Sequence, residues 1–288
     1  MRVLITGAGG QLGRELVDAF VDHDTVGCGR DVLDITDRDQ VLQVVDHIHP
    51  DVIVHAAAWT DVDGCETDPD RALEVNALGT RYLAAGARMV GARICYVSTD
   101  YVFDGRATRP YSEWDRPNPV SAYGRSKLGG ERELSPDDTI VRTSWVCGQH
   151  GKNFVKTVLD RAVRGLELKV VKDQHGCFTL ADDLAETIRR LVVARRAGTF
   201  HVTNQGPTTW YRLACDTLIA AGLELTPVQP IATAELRPPR PAPRPMFSVL
   251  DNAALRLSGL PLLPDYHDAL SRLVRTLGHT RGDPATVS

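Results

Sequence analysis

The chain has 288 residues, 43% of them hydrophobic and 24% charged, with 33 Lys+Arg against 37 Asp+Glu and a formal net charge of −4. This composition excludes fibrous, disordered and membrane classes, and its slight acidity gives no electrostatic reason to expect nucleic acid or an anionic membrane as partner. The six scattered cysteines form no C-x-x-C pair, no apolar run approaches the roughly 18 residues of a membrane span, and Met1 opens into a strand with no leader pattern before it. We therefore expect a cytoplasmic chain without zinc or disulfides.

Met1–Thr6 is a short apolar run that ends in a glycine-rich turn, Gly7-Ala-Gly-Gly-Gln-Leu-Gly13. A helix follows, because Leu12, Leu16, Ala19 and Phe20 share a face at helical spacing. Next come a second strand, DTVGCGR, and a helix lined by Val41, Val44, Val45 and Ile48. Val52–Val54 then runs into Ala56-Ala57-Ala58, a helix is predicted from about Asp70 to Met89, and Arg93–Val97 is another apolar run. The segment SAYGRSK opens a further helix, and Thr139–Arg142 makes a fifth strand. Continuous apolar strands alternating with helices predict a parallel sheet covered on both faces, a Rossmann-type doubly wound α/β fold.

Beyond Trp145 the pattern loosens, with helices predicted at Asn153–Arg164, Leu180–Arg195, Trp210–Ala221 and about Asp265–Leu277, and a strand at Gly198–Thr203. Thr226–Pro245 carries seven of the 17 prolines and reads as a surface connection or extended arm. The expected organisation is a dinucleotide-binding domain over residues 1–145 that also receives parts of 176–205, and a smaller C-terminal α/β substrate-binding lobe over 146–277. Residues 278–288 read as a disordered tail.

Three signals carry chemistry. Gly7-x-x-Gly10-x-x-Gly13 sits between the first strand and first helix, where glycines let the backbone approach a pyrophosphate and the helix N-terminus attracts it. At the end of the second strand, Arg30 can pair with a 2′-phosphate and favours NADPH, while Asp31 beside it keeps NADH open. Tyr123 and Lys127 stand at i and i+4, one face of a helix, in a chain with only five lysines; a nearby ammonium would lower the tyrosine pKa and fit it for proton transfer. Ser98-Thr99-Asp100 follows the run that ends at Val97, and an open parallel sheet delivers such residues into the ligand crevice. An Asp/Ser/Thr capping turn is the plainer alternative there.

Together these residues, with GQLGREL, LDITD, AAAWTDVDGCE, VSTDYVFDG, AYGRSKLGGER, RTSWV, VVKDQHG and RPAPRPMFSVLD, resemble the dTDP-4-dehydrorhamnose reductase family of extended short-chain dehydrogenase/reductases. The resemblance implies reduction of a C4 keto group on a dTDP-linked deoxysugar, with Tyr123 protonating the oxygen, Lys127 holding the nicotinamide ribose, and Thr99, with Ser98, binding the oxygen. Asp100, Tyr101 and Trp145 would border the substrate, the aromatic face of Trp145 suiting a sugar or thymine ring. Gly7, Gly10, Gln11, Leu12, Gly13, Arg30, Asp34, Ile35, Ala56, Ala57, Ala58 and Ser98 would border the cofactor. Asn76 would support a water-linked proton path to Lys127 or serve as a buried structural amide.

The resemblance also implies some variation. Phe178 stands where many members have proline, and Cys147 where an aromatic residue is usual; both are expected near the sugar, leaving another dTDP-deoxysugar of an antibiotic pathway as an alternative substrate. Some relatives form homodimers bridged by Mg through several glutamates; Glu15 is the one counterpart here, so no metal is assigned. The NADP-binding regulatory subunit of methionine adenosyltransferase shares the fold and supplies a non-enzyme alternative. The nine histidines suggest no metal-like cluster, and Asp61, Asp63 and Glu66 read as turn and capping residues.

Overall fold

The structure, a computed structural model, describes residues 1–225 and 228–279. Its strands are β1 (Arg2–Thr6), β2 (Asp24–Cys28), β3 (Val52–His55), β4 (Arg93–Thr99), β5 (Thr139–Thr143), β6 (Val146–Cys147), β7 (Leu168–Val171), β8 (His175–Cys177), β9 (Thr179–Leu180), β10 (Gly198–His201), β11 (Pro207–Thr209) and β12 (Val228–Ile231). The helices are α1 (Gln11–Ala19), α2 (Arg38–Ile48), α3 (Val62–Thr67), α4 (Pro69–Leu73), α5 (Gly79–Val90), α6 (Ala122–Glu131), α7 (Phe154–Val163), α8 (Ala181–Val193), α9 (Trp210–Ala221), α10 (Ala253–Leu257) and α11 (Tyr266–Thr276). Six strands form one parallel sheet in the order β10-β5-β4-β3-β1-β2. The predicted α/β class is the observed one.

The sheet is parallel because its strands are apolar on both faces. Val3, Ile5, Val52 and Val54 pack under α1 and α8, whereas Leu4 and Ile53 pack under α2 and α5. The chain passes from β2 back across β1 to reach β3, so the carboxyl ends of β1 and β3 diverge and open a crevice for ligands. Gly198–His201, far along the chain, joins this sheet beside β5. A second core, beneath α7, α9 and α11, gathers Phe178, Leu213, Leu270 and Leu273.

Three segments differ from expectation. The single helix predicted from Asp70 is broken by a π turn over Glu74–Leu78, and α3 precedes it. The strand expected to end at Val97 runs on to Thr99. The proline-rich arm is no bare connection, since Val228–Ile231 pairs with β7. Of the expected tail, residues 280–288 lie outside the described residues.

Candidate active site

The glycine turn closes on itself at atomic contact. A Cβ on Gly13 would lie 2.0 Å from the Gly7 carbonyl oxygen, so α1 can start against the turn only with glycine there. The helix has Gly10 as N-cap, with no side chain capping it and no acid in its first turn, which leaves its first N–H groups facing the crevice. Gln11 lines the central cavity and its side chain also braces the turn. Its amide donates to Val146 O (2.8 Å) and accepts from Gly148 N (3.2 Å) and Asn153 Nδ2 (2.8 Å), tying the turn to the loop after β6.

A central cavity of about 470 Å³ joins this turn to Ser98, Thr99, Asp100, Tyr101, Tyr123, Lys127 and Trp145. Arg30, Asp34, Ile35 and Ala57 line an adjoining cavity of about 380 Å³ that shares Gly7, Gly10, Ala56 and Ala58 with the first. The fold therefore collects the residues expected to border cofactor or substrate into these two adjoining cavities. It adds Arg71, which lies 4.5 Å from the Trp59 ring and lines the smaller cavity beside Arg30. No local spacing marks Arg71, because the π turn and α4 decide where it points.

Ser98 and Thr99 end β4 on opposite faces, as strand alternation requires. Ser98 donates to Glu131 Oε1 (2.6 Å), and Glu131 holds a bidentate pair with Arg142 at 2.9 and 2.7 Å, all buried. The Ser98 hydroxyl lines the central cavity and gives its proton to this pair. Thr99 turns the other way, donates to Asp100 Oδ1 (3.1 Å) and neighbours the Tyr123 phenol. Asp100 also accepts from Ser248 (2.5 Å), and its burial pushes its pKa up to about 7.

Ser121 caps α6 by accepting from Gly124 N, and the helix packs so tightly on the Asp100–Val102 turn that a Cβ on Gly124 would lie 2.1 Å from Tyr101 O. This contact sets Tyr123 against Thr99 and, edge-on at 5.7 Å between centroids, against Tyr101. The expected lowering of the Tyr123 pKa is not what the structure shows. Burial raises it, the Thr99 hydrogen bond opposes that rise, and the Lys127 ammonium lies instead 4.1 Å from the Tyr96 ring centroid. Burial also lowers the Lys127 pKa to about 7, against the attraction of Glu131 one turn on. Asn76, on the π turn, is buried and its amide accepts from Trp59 N and donates to Trp59 O and Ser126 Oγ.

Trp145 lines the central cavity, has φ +45° and stacks one face on Trp210 at 3.8 Å, with a Cβ on Gly176 falling 2.6 Å from its ring. Two substrate-side expectations are corrected. Phe178 and Cys147 are buried together in the second core and do not face the cleft. Tyr101 also lines an outer cavity of about 690 Å³ with Phe154, Trp210, Lys169, Arg240 and Arg244; the two arginines fall in the RPAPRPMFSVLD stretch but had no role assigned from it. Elsewhere, Glu15, Asp18 and His150 bring ligand-type atoms within 4.8 Å of one another, a grouping not expected from the histidine spacing.

The residues 1–278 match the model of the RmlD substrate binding domain. The chain belongs to the dTDP-4-dehydrorhamnose reductase family. It is 41% identical to the dTDP-4-dehydrorhamnose reductase of Streptomyces griseus, covering 98% of this chain and 96% of that one. It is also 42% identical to the dTDP-4-keto-6-deoxy-D-glucose reductase of Streptomyces niveus, over 94% of this chain and 96% of that protein. The crystal structure of the Bacillus anthracis reductase in complex with NADP superposes with a TM-score of 0.92 at 38% identity, covering 96% of this chain and 99% of that one. The chain is accordingly an oxidoreductase of this family, and the non-enzyme alternative falls away. Among the described residues no helix is long and apolar enough to cross a membrane.

Proposed function

We propose that this chain uses NADPH to reduce the C4 keto group of a dTDP-4-keto-6-deoxysugar, with dTDP-4-dehydro-L-rhamnose as the first substrate to test. The observation that carries this reading is the meeting of Thr99, Tyr123 and Lys127 with the glycine turn in one cavity. The chain's residues fit a dinucleotide: a glycine turn without side chains, uncapped N–H groups at α1, and two arginines, Arg30 and Arg71, in the adenosine-side cavity. Arg30, whose guanidinium lies 3.6 Å from Asp34 Oδ2, shares this cavity with Arg71 and favours the 2′-phosphate. When bound, the cofactor supplies the hydride.

The protein side of the reaction follows from burial. The Tyr123 phenol keeps its proton at neutral pH, so it can donate it to the substrate oxygen as that oxygen gains charge. The Thr99 hydroxyl, which donates to Asp100 Oδ1 and accepts from Tyr101 N, would bind the same oxygen by turning its single proton from Asp100 to it. Lys127, poised near neutrality, can carry charge toward the tyrosinate that remains. The outer cavity, reached past Tyr101, offers aromatic rings and cations for the nucleoside diphosphate. The similarity to the Streptomyces niveus reductase favours a second reading, in which the same residues reduce a dTDP-4-keto-6-deoxyglucose. Following nicotinamide absorbance with NADPH and each ketosugar separates the two; no oxidation with either would refute the proposal.

A further inference from the structure

Asp63 stands in the first turn of α3, on the cofactor side of the cleft, yet its carboxylate serves the opposite side. Its Oδ1 accepts from Ala242 N (3.2 Å) and Arg244 Nη1 (3.0 Å), and its Oδ2 from Arg244 Nη2 (2.9 Å) and Arg240 Nη1 (3.1 Å). Arg244 faces the Tyr101 phenol as well. Among the described residues, Asp63 and Tyr101 are the hydrogen-bond partners that residues 238–245 find outside the arm. Helix capping, the role expected for Asp63, falls to Asp61, which accepts from Gly64 N (3.0 Å).

The location gives the cluster a use. Arg240 and Arg244 line the outer cavity, and Tyr101 lines both that cavity and the central one, so the cluster stands at the neck between them. A sugar at Thr99 and Tyr123 joined to a nucleoside beside Phe154 and Trp210 must pass its diphosphate through this neck. Each guanidinium has five N–H donors; Asp63 takes one from Arg240 and two from Arg244, and Ala242 O and the Tyr101 phenol engage Arg244 further, so the donors left for an anion lie mainly on Arg240. The three side chains sum to +1, so the neck stays cationic while the carboxylate keeps two like charges side by side.

We propose that Asp63 is a positioning residue for the diphosphate of the nucleotide sugar: it fixes Arg240 and Arg244 at the neck between the two cavities. This rests on the nucleotide-sugar reading above. Without the carboxylate the two cations repel each other and the arm from 238 to 245 loses its tie, so the donors are no longer preorganised.

The test is Asp63→Asn, isosteric and at a partly exposed site, titrated by calorimetry with dTDP and with thymidine in the presence of NADP. We expect dTDP affinity to fall about tenfold, equivalent to about 1.4 kcal/mol, with thymidine affinity unchanged within twofold. The KM for the ketosugar should rise by a similar factor while kcat stays within about threefold. Arg240→Met, at a largely exposed side chain, should weaken dTDP several-fold and spare thymidine. Undiminished dTDP binding by Asp63→Asn, or equal losses for dTDP and thymidine, would overturn the proposal. A wild-type protein that binds no dTDP would overturn it together with the functional reading, a result distinct from the other two.

Discussion

Replacing Lys127 with methionine should stabilise the fold while abolishing turnover. The lysine is 2% exposed, and burial holds its pKa at about 7 instead of 10.5, although Glu131 pulls it upward. His55 and Tyr96, which face it, stay neutral across this range, the first with a pKa lowered to about 3 and the second with its pKa raised by burial. Between pH 7 and 10.5 the unfolded chain therefore binds a proton at this residue that the folded chain does not, and wild-type stability rises with pH. At 1.36 kcal/mol per pH unit the burden on the folded state is at most about 4 kcal/mol at pH 7, about 2 at pH 9 and under about 1 at pH 10. Methionine keeps the length of the side chain without the charge. Urea unfolding followed by tryptophan fluorescence, without nucleotide, should show Lys127→Met more stable than wild type at pH 7 by about 1 to 4 kcal/mol, with the gap closing toward pH 10. A wild type at least as stable at pH 7, or a gap that does not narrow with pH, would refute the reasoning.

Tyr123→Phe should lower kcat by about 10²- to 10⁴-fold and leave the NADPH dissociation constant unchanged, as measured by steady-state kinetics and fluorescence titration. Arg30→Ala, at a side chain 77% exposed, should weaken NADPH about tenfold and NADH by less than twofold; equal losses would place Arg30 outside the phosphate site. Phe178→Ala should cost about 3 to 5 kcal/mol in unfolding experiments, because it empties a fully buried core position. The ratio of kcat/KM between two dTDP-ketosugars should not change in that variant, since Phe178 does not face the cleft.

Some of the site was legible because its signals are local. The glycine turn announces itself through three residues at fixed spacing at the mouth of a helix, and the Tyr123/Lys127 pair through a single helical turn. Ser98 and Thr99 were legible as a pair but not as two opposite roles. Both line the central cavity, but strand alternation in a β4 held to its end by pairing of Ser98 and Thr99 with Arg142 and Thr143 of β5 sends one hydroxyl to Glu131 and the other to Asp100. Trp145 was legible as an aromatic near the substrate, but its stacking on Trp210, 65 positions away, was not.

The sequence by itself determined the α/β class, the strand–turn–helix that begins the chain and the pair proposed for proton transfer, because period, turn chemistry and i, i+4 spacing act over a few residues. Tertiary structure alone decided the charge state of that pair. Desolvation depends on what surrounds a group in three dimensions, so Lys127 over the Tyr96 ring and Tyr123 under the Tyr101 edge have pKa shifts that no spacing encodes. It decided the outer cavity for the same reason: Asp63, Arg240 and Arg244 are separated by 177 and 181 positions in the chain, and the sheet crossover and the arm bring them to one carboxylate.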